Sequence, residues 1–243
     1  MKRFLSVWLT IAFMVFSLNA RTFVLCIGVS NYDNSDLNLT QTTKDAKQFK
    51  SVMENETKDI TILTSKYANK ENIKEKLRAI SNRAQKGDKI IFFFSGHGYP
   101  GGVAVYDNIL PYQEINDILA KSAADAKICF IDACHAGSVR GVSDNSKNYK
   151  APTSGNIIYM LASRADEYSL ENPWVGHGFF TQAVLKGLRG KADANRDKKI
   201  TVNELFKYVY NDVQHTTAKM NVSQHPQLIG QKSVADAVLI DWN

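Results

Sequence analysis

At 243 residues the chain is long enough for one sizeable α/β domain and too short for two full domains with linkers. Its 44% hydrophobic content is ordinary for a globular protein, and no low-complexity tract interrupts it. The formal net charge of +6 includes Lys2 and Arg3 and comes without any dense Lys/Arg block. The charge therefore reads as a solvated surface, and nucleic-acid binding is not expected.

Residues 1–20 read as a secretory signal peptide. Lys2 and Arg3 precede an apolar run over 4–18, broken only by Ser6, Thr10 and Ser17, and Asn19-Ala20 closes it with a small residue. A membrane anchor is the competing reading, but a run of about 15 residues is short of the roughly 20 that span a bilayer. No cysteine follows Ala20 to accept a lipid. Export to a periplasm or the cell exterior is the expectation, with no stable span once the segment is removed. The remainder, 21–243, is expected to form a single domain.

Along that remainder, the run TFVLCIGV over 22–29 suits a strand buried on both faces. A helix follows, with Thr42 or Thr43 as N-cap and Ala46, Phe49, Val52 and Met53 on its apolar face. A short strand is expected at 60–63, then a helix capped by Asn69, carrying Ile73, Leu77 and Ile80 and ending near Gly87. KIIFFF at 89–94 is the strongest strand and stops abruptly in Ser95-Gly96-His97-Gly98. A Gly/Pro-rich loop and a helix over 113–121 lead to KICFI at 127–131, which ends in Asp132-Ala133-Cys134-His135-Ala136-Gly137. Residues 138–156 are polar and aperiodic and read as an exposed loop. The spacing predicts further strands at 157–162 and 234–240 and helices at 179–188 and 202–213. Strands alternating with helices in this way argue for a mainly parallel sheet with helices on both faces.

Three cysteines in an exported chain raise the question of disulfides. Cys26 and Cys129 sit inside strand-like apolar runs and read as small buried thiols; a bridge between them requires neighbouring strands. Cys134 lies in a polar, Gly-bounded turn. It shares its geometry with His97, since each lies just past the carboxyl end of a buried strand, the edge where open α/β sheets form sites. If the two strands are neighbours, thiol and imidazole meet as nucleophile and proton carrier. Gly98 and Cys134 then offer backbone N–H groups to an oxyanion. The rival bases are weaker: His135 adjoins the cysteine and points elsewhere, and His177 lies in a Gly-flanked loop.

Ser95-Gly96-His97-Gly98 and Asp132-Ala133-Cys134-His135-Ala136-Gly137-Ser138 resemble the His and Cys motifs of metacaspases and related caspase-like cysteine peptidases. Ile27-Gly28 with Tyr32, Asp45-Ala46 and Gln224-His225-Pro226-Gln227 extend the resemblance over about 22–240. The resemblance implies the caspase-type three-layer α/β sandwich, a mainly parallel central sheet flanked by helices, and a cysteine-type endopeptidase acting on proteins or peptides; a monomer is the separate expectation. In caspases that cut after Asp, Arg side chains hold the substrate carboxylate; the position resembling one of these is Glu171. Asp45 and Asp132, with Ser95 and Thr42, resemble the first specificity pocket of metacaspases. Two carboxylates in a narrow pocket favour Arg or Lys at P1 and penalise Asp. The bland readings are a helix-start carboxylate for Asp45 and a turn acceptor for Asp132.

Because caspase-like enzymes are often cleaved after the catalytic cysteine, Arg140, Lys147 and Lys150 become candidates for self-processing within 138–156. The chemistry requires no cofactor. Calcium is a separate expectation. Asp193, Asn195 and Asp197, with the Lys199 carbonyl and Glu204, stand at EF-hand-like ligand positions over 193–204, although Lys198 occupies the place of the usual Gly. A capped helix start explains the same residues. The calcium site of metacaspases after the His motif has Asp107 as its main remnant. The reading from another function class is a catalytically silent caspase-like binding protein with a calcium loop. A third is a different Cys–His peptidase family with an Arg-type pocket.

Overall fold

A computed structural model describes residues 20–99, 101–133, 155–163, 171–172 and 177–242. The expected signal segment and most of the 138–156 loop lie outside these. Five strands form the parallel body of a sheet: β1 (Thr22–Gly28), β2 (Ile60–Thr64), β3 (Lys89–Ser95), β7 (Ala126–Asp132) and β8 (Ile157–Leu161). β12 (Gln227–Gly230) adds antiparallel to β8, and the order is β12-β8-β7-β3-β1-β2. Three small pairings lie outside it. β4 (Gly98–Tyr99), β5 (Gly102–Ala104) and β6 (Ile109–Pro111) form a meander after β3. β9 (Glu171–Asn172) pairs with β10 (His177–Gly178), and β11 (Lys199–Thr201) with β13 (Val238–Asp241).

The continuous apolar runs of β1, β3 and β7 follow from burial on both faces. Phe23, Leu25 and Ile27 face one core, with Ile73, Leu77 and Ile80 of α2 (Lys70–Arg83) and Ile115 and Leu119 of α3 (Tyr112–Leu119). Val24 and Cys26 face the other, with Ala46 and Phe49 of α1 (Thr42–Met53), Phe180 and Val184 of α4 (Phe179–Lys186), and Leu205 and Val209 of α5 (Val202–Ala218). This is the three-layer α/β arrangement expected.

Several local expectations are corrected. Thr42 is not the N-cap of α1 but its first residue; Gln41 precedes it without a side-chain cap, and its carbonyl accepts the N–H groups of Lys44 and Asp45. Asn69 does cap α2, accepting from the Asn72 N–H at 2.9 Å. That helix ends at Arg83, ahead of the turn at Gly87, where φ is +92°. The final strand is shorter than its apolar pattern, because 232–234 form a single 3₁₀ turn first.

Cys26 and Cys129 are buried free thiols, and a bridge between them is excluded. β3 lies between their strands, and the two side chains belong to opposite cores. Burial pushes both thiols far up, which keeps them protonated and unreactive.

Gly28, the last residue of β1, lets α1 descend onto the sheet edge. A Cβ there would lie 2.5 Å from the Thr42 carbonyl and 2.8 Å from the Ala46 Cβ. Gly28→Val is therefore expected to lower stability by about 1–3 kcal/mol, read as a lower urea midpoint at unchanged m-value. An unchanged midpoint would show that α1 can move away freely.

Candidate active site

β3 and β7 are parallel neighbours, and their last rung pairs Ser95 with Asp132. Beyond it the Gly96 N–H donates to the Asp132 carbonyl at 3.1 Å, holding the two chain exits together. His97 stands two residues past that rung on one strand, and Cys134 two past it on the other. Cys134 itself falls outside the described residues, as do Arg140, Lys147 and Lys150.

His97 is held at both its backbone and its ring. Its N–H donates to the Tyr32 hydroxyl at 2.8 Å, and the two rings lie 5.2 Å apart, tilted by 41°. Its Nε2 is 2.9 Å from the Leu37 carbonyl. A carbonyl only accepts, so Nε2 carries the proton in the neutral ring and Nδ1 keeps its lone pair. The Leu37 carbonyl is itself fixed, because residues 35–37 form a 3₁₀ turn capped by Asn34. Behind it, Asn38 Oδ1 accepts the Tyr32 N–H at 2.9 Å and the Leu39 N–H reaches the Ser30 carbonyl at 2.8 Å. Burial pushes the Tyr32 phenol well up, against the pull of the His97 N–H, and keeps it neutral.

The acidic residues gather on the α1/α4 side of the same edge. Ser95 Oγ donates to Asp45 Oδ2 at 2.9 Å, and Asp45 is only 2% exposed. Asp132, 6% exposed, accepts at Oδ2 from the Thr181 N–H at 3.1 Å and the Thr181 hydroxyl at 2.6 Å, in the first turn of α4. Gly178 is needed for that approach, since a Cβ there would meet Asp132 Oδ2 at 2.6 Å. Thr42 is buried nearby, with its hydroxyl 3.0 Å from that of Ser30. The edge thus combines a histidine with a defined proton-accepting nitrogen and two buried carboxylates on either side of a serine. Gly98 opens β4 and lines a cleft on the other side of His97.

The family evidence agrees with this geometry. The sequence profile of the caspase domain matches residues 21–236. The chain belongs to the caspase domain family. None of the curated proteins matches it. Among solved structures it is similar to protein GSU0716 from Geobacter sulfurreducens, with TM-score 0.64 at 16% identity, covering 86% of this chain and 92% of that one. It is similar too to caspase-1 from Spodoptera frugiperda, with TM-score 0.62 at 17% identity, covering 87% and 89%. At these identities the likeness carries the caspase fold alone. Family membership makes the chain a member of a cysteine peptidase superfamily whose substrates are proteins.

Two candidate calcium positions of this caspase-like chain have structural partners. Asp107 Oδ1 accepts the Lys70 N–H at 3.0 Å, at the start of α2. In the 193–204 loop, Asp193 Oδ2 accepts from the Lys198 N–H at 3.1 Å, Asn195 from the Asp197 N–H at 3.0 Å, and Asp197 from the Lys199 N–H at 2.8 Å. Lys198 adopts φ +65°, the conformation for which Gly is usual. Glu204 Oε2 is held by the N–H and hydroxyl of Thr201 in a capping box on α5. No group of three or more His, Cys, Asp or Glu side chains able to hold a metal occurs among the described residues. Asp193 Oδ1, however, is buried without a partner, which suits a cation.

Leu37, Gly178 and Thr181 escaped the sequence reading. Leu37 acts through a backbone carbonyl that any residue supplies, and the other two matter only because α4 lands on Asp132. Tyr32 entered only through the family resemblance. If its hydroxyl positions His97, Tyr32→Phe leaves the fold intact and lowers kcat on a peptide substrate by about tenfold, with a smaller change in KM. An unchanged kcat would remove Tyr32 from that role.

Proposed function

We propose that the chain is an exported cysteine endopeptidase that uses Cys134 and His97 and cleaves after Arg or Lys. The observation that carries this reading is the double tether on His97, which engages Nε2 and so keeps the lone pair of the neutral ring on Nδ1, two residues past the rung beyond which Cys134 also lies in sequence. His97 Nδ1 takes the proton of the Cys134 thiol, the thiolate adds to the scissile carbonyl carbon, and the resulting oxyanion is met by the backbone N–H groups of Gly98 and Cys134. Collapse breaks the C–N bond, and His97 gives a proton to the departing amine, leaving a thioester. His97 then takes a proton from water, whose oxygen attacks the thioester and releases the acid and the thiolate.

Asp45 and Asp132 support the basic specificity. Both are buried, on the side of the edge where the acyl half of the substrate would bind, and an Arg or Lys head group would offset their charge. The same preference makes Arg140, Lys147 and Lys150 sites of self-cleavage. Fluorogenic peptides differing at P1 test the assignment. Turnover with Arg or Lys, at least about a hundredfold above Asp or Ala and lost in Cys134→Ala, is the expected result. Preference for Asp would discard the pocket, and silence across the panel would favour the binding protein. Intact mass of the exported protein should show loss of 1–20 and a cut within 138–156, with the internal cut absent in Cys134→Ala.

Calcium stands outside this chemistry, and no step passes through it. Asp193, Asn195, Asp197, the Lys199 carbonyl and Glu204 would hold it, at the cost of turning Glu204 out of its capping box. Calcium is expected to raise the Tm of the wild type and not of Glu204→Gln. An equal Tm with and without calcium would leave the loop as a helix cap alone.

A further inference from the structure

A cleft of about 510 Å³ opens on the far side of His97 from Asp45 and Asp132. Its walls come from the segment after β1 and from the β4–β6 meander: Tyr32, Leu37, Tyr99, Val105, Tyr106 and Ile109, with His97 at one end. The walls are tied to each other and to the histidine. The Asp33 N–H donates to the Tyr106 carbonyl at 2.9 Å, and the Ala104 N–H to the His97 carbonyl at 2.9 Å. Buried members of this wall, Tyr32 and Val105, belong to the α2/α3 core, whereas the acidic residues lie on the α1/α4 side.

We propose that this cleft receives the first residue on the leaving side of the scissile bond, P1′, and selects a large apolar or aromatic side chain there. The inference rests on the peptidase reading above. In that chemistry His97 hands its proton to the departing amine, so the leaving segment begins at His97. A substrate crossing the sheet edge then has its acyl half over the α1/α4 face and its amine half over the cleft. The space takes one or two large side chains, and aromatic and aliphatic groups dominate its lining. Asp33 and Asp107 are the charged residues at its margin, and both penalise an acidic side chain at this position.

Quenched-fluorescence peptides with Arg fixed at P1 and with Phe, Leu, Ala, Gly or Asp at P1′ test this, beside an Arg coumarylamide that has no P1′ residue. The expected result is kcat/KM about tenfold higher for Phe or Leu than for Ala, and lowest for Asp. Ile109→Asp and Tyr99→Ala should each bring the Phe-to-Ala ratio toward one; Tyr99 is 51% exposed, so its truncation does not threaten folding. Hydrolysis of the coumarylamide with P1′ rates equal within about twofold would overturn the subsite and leave the peptidase standing. Failure to cleave either the amide or any peptide would bring down the peptidase reading and the subsite with it.

Discussion

The parallel register of β3 against β7 is the constraint on which the candidate site depends. Pairing Ser95 with Asp132 makes both strands stop at the same height, so the chains that leave them emerge side by side. A slip of one residue would turn the side chains of the slipping strand to the other face, so that Ser95 and Asp132 would no longer share the face that carries Asp45. The register is held by apolar residues fully buried on both faces, Phe92 and Phe93 among them, so slippage would drive aromatic side chains into the opposite core and mispack both.

Around that edge the two faces carry different work. On the α1/α4 face, helices come unusually close to the strand ends, and glycine makes this feasible at Gly28 and Gly178. The close approach brings Asp45 to Ser95 and the first turn of α4 to Asp132. The Ser95 hydroxyl and the Thr181 N–H and hydroxyl donate to these carboxylates, which offsets part of the cost of burying them. On the other face, the segment after β1 and the β4–β6 meander form the walls around His97, whose backbone N–H is held by the Tyr32 hydroxyl and whose ring is held by the Leu37 carbonyl.

The likeness to caspase-fold structures at 16 and 17% identity has a physical basis. A parallel sheet buried on both faces demands apolar runs with β-forming residues but accepts many choices within them. The thiols illustrate the point: Cys26 and Cys129 are packing residues on opposite faces, and neither position requires sulfur.

The sequence by itself determined the layer arrangement, because continuous apolar runs alternating with 3.6-period stretches admit few other folds. It also singled out His97 with Cys134, since each follows an abrupt end to a strong strand in a Gly-containing turn, whereas Asp132 entered through the family resemblance. Short elements such as β4, β5, β11 and β12 were not legible; at two to four residues their pattern carries too little periodicity. The tether from Leu37, the role of Tyr32 as an acceptor, the bond from Thr181 to Asp132 and the cleft beside His97 were decided only by tertiary structure. The reason is common to them all. Each depends on a backbone group or a chance of docking between segments distant in sequence, and neither leaves a signature in residue type or spacing.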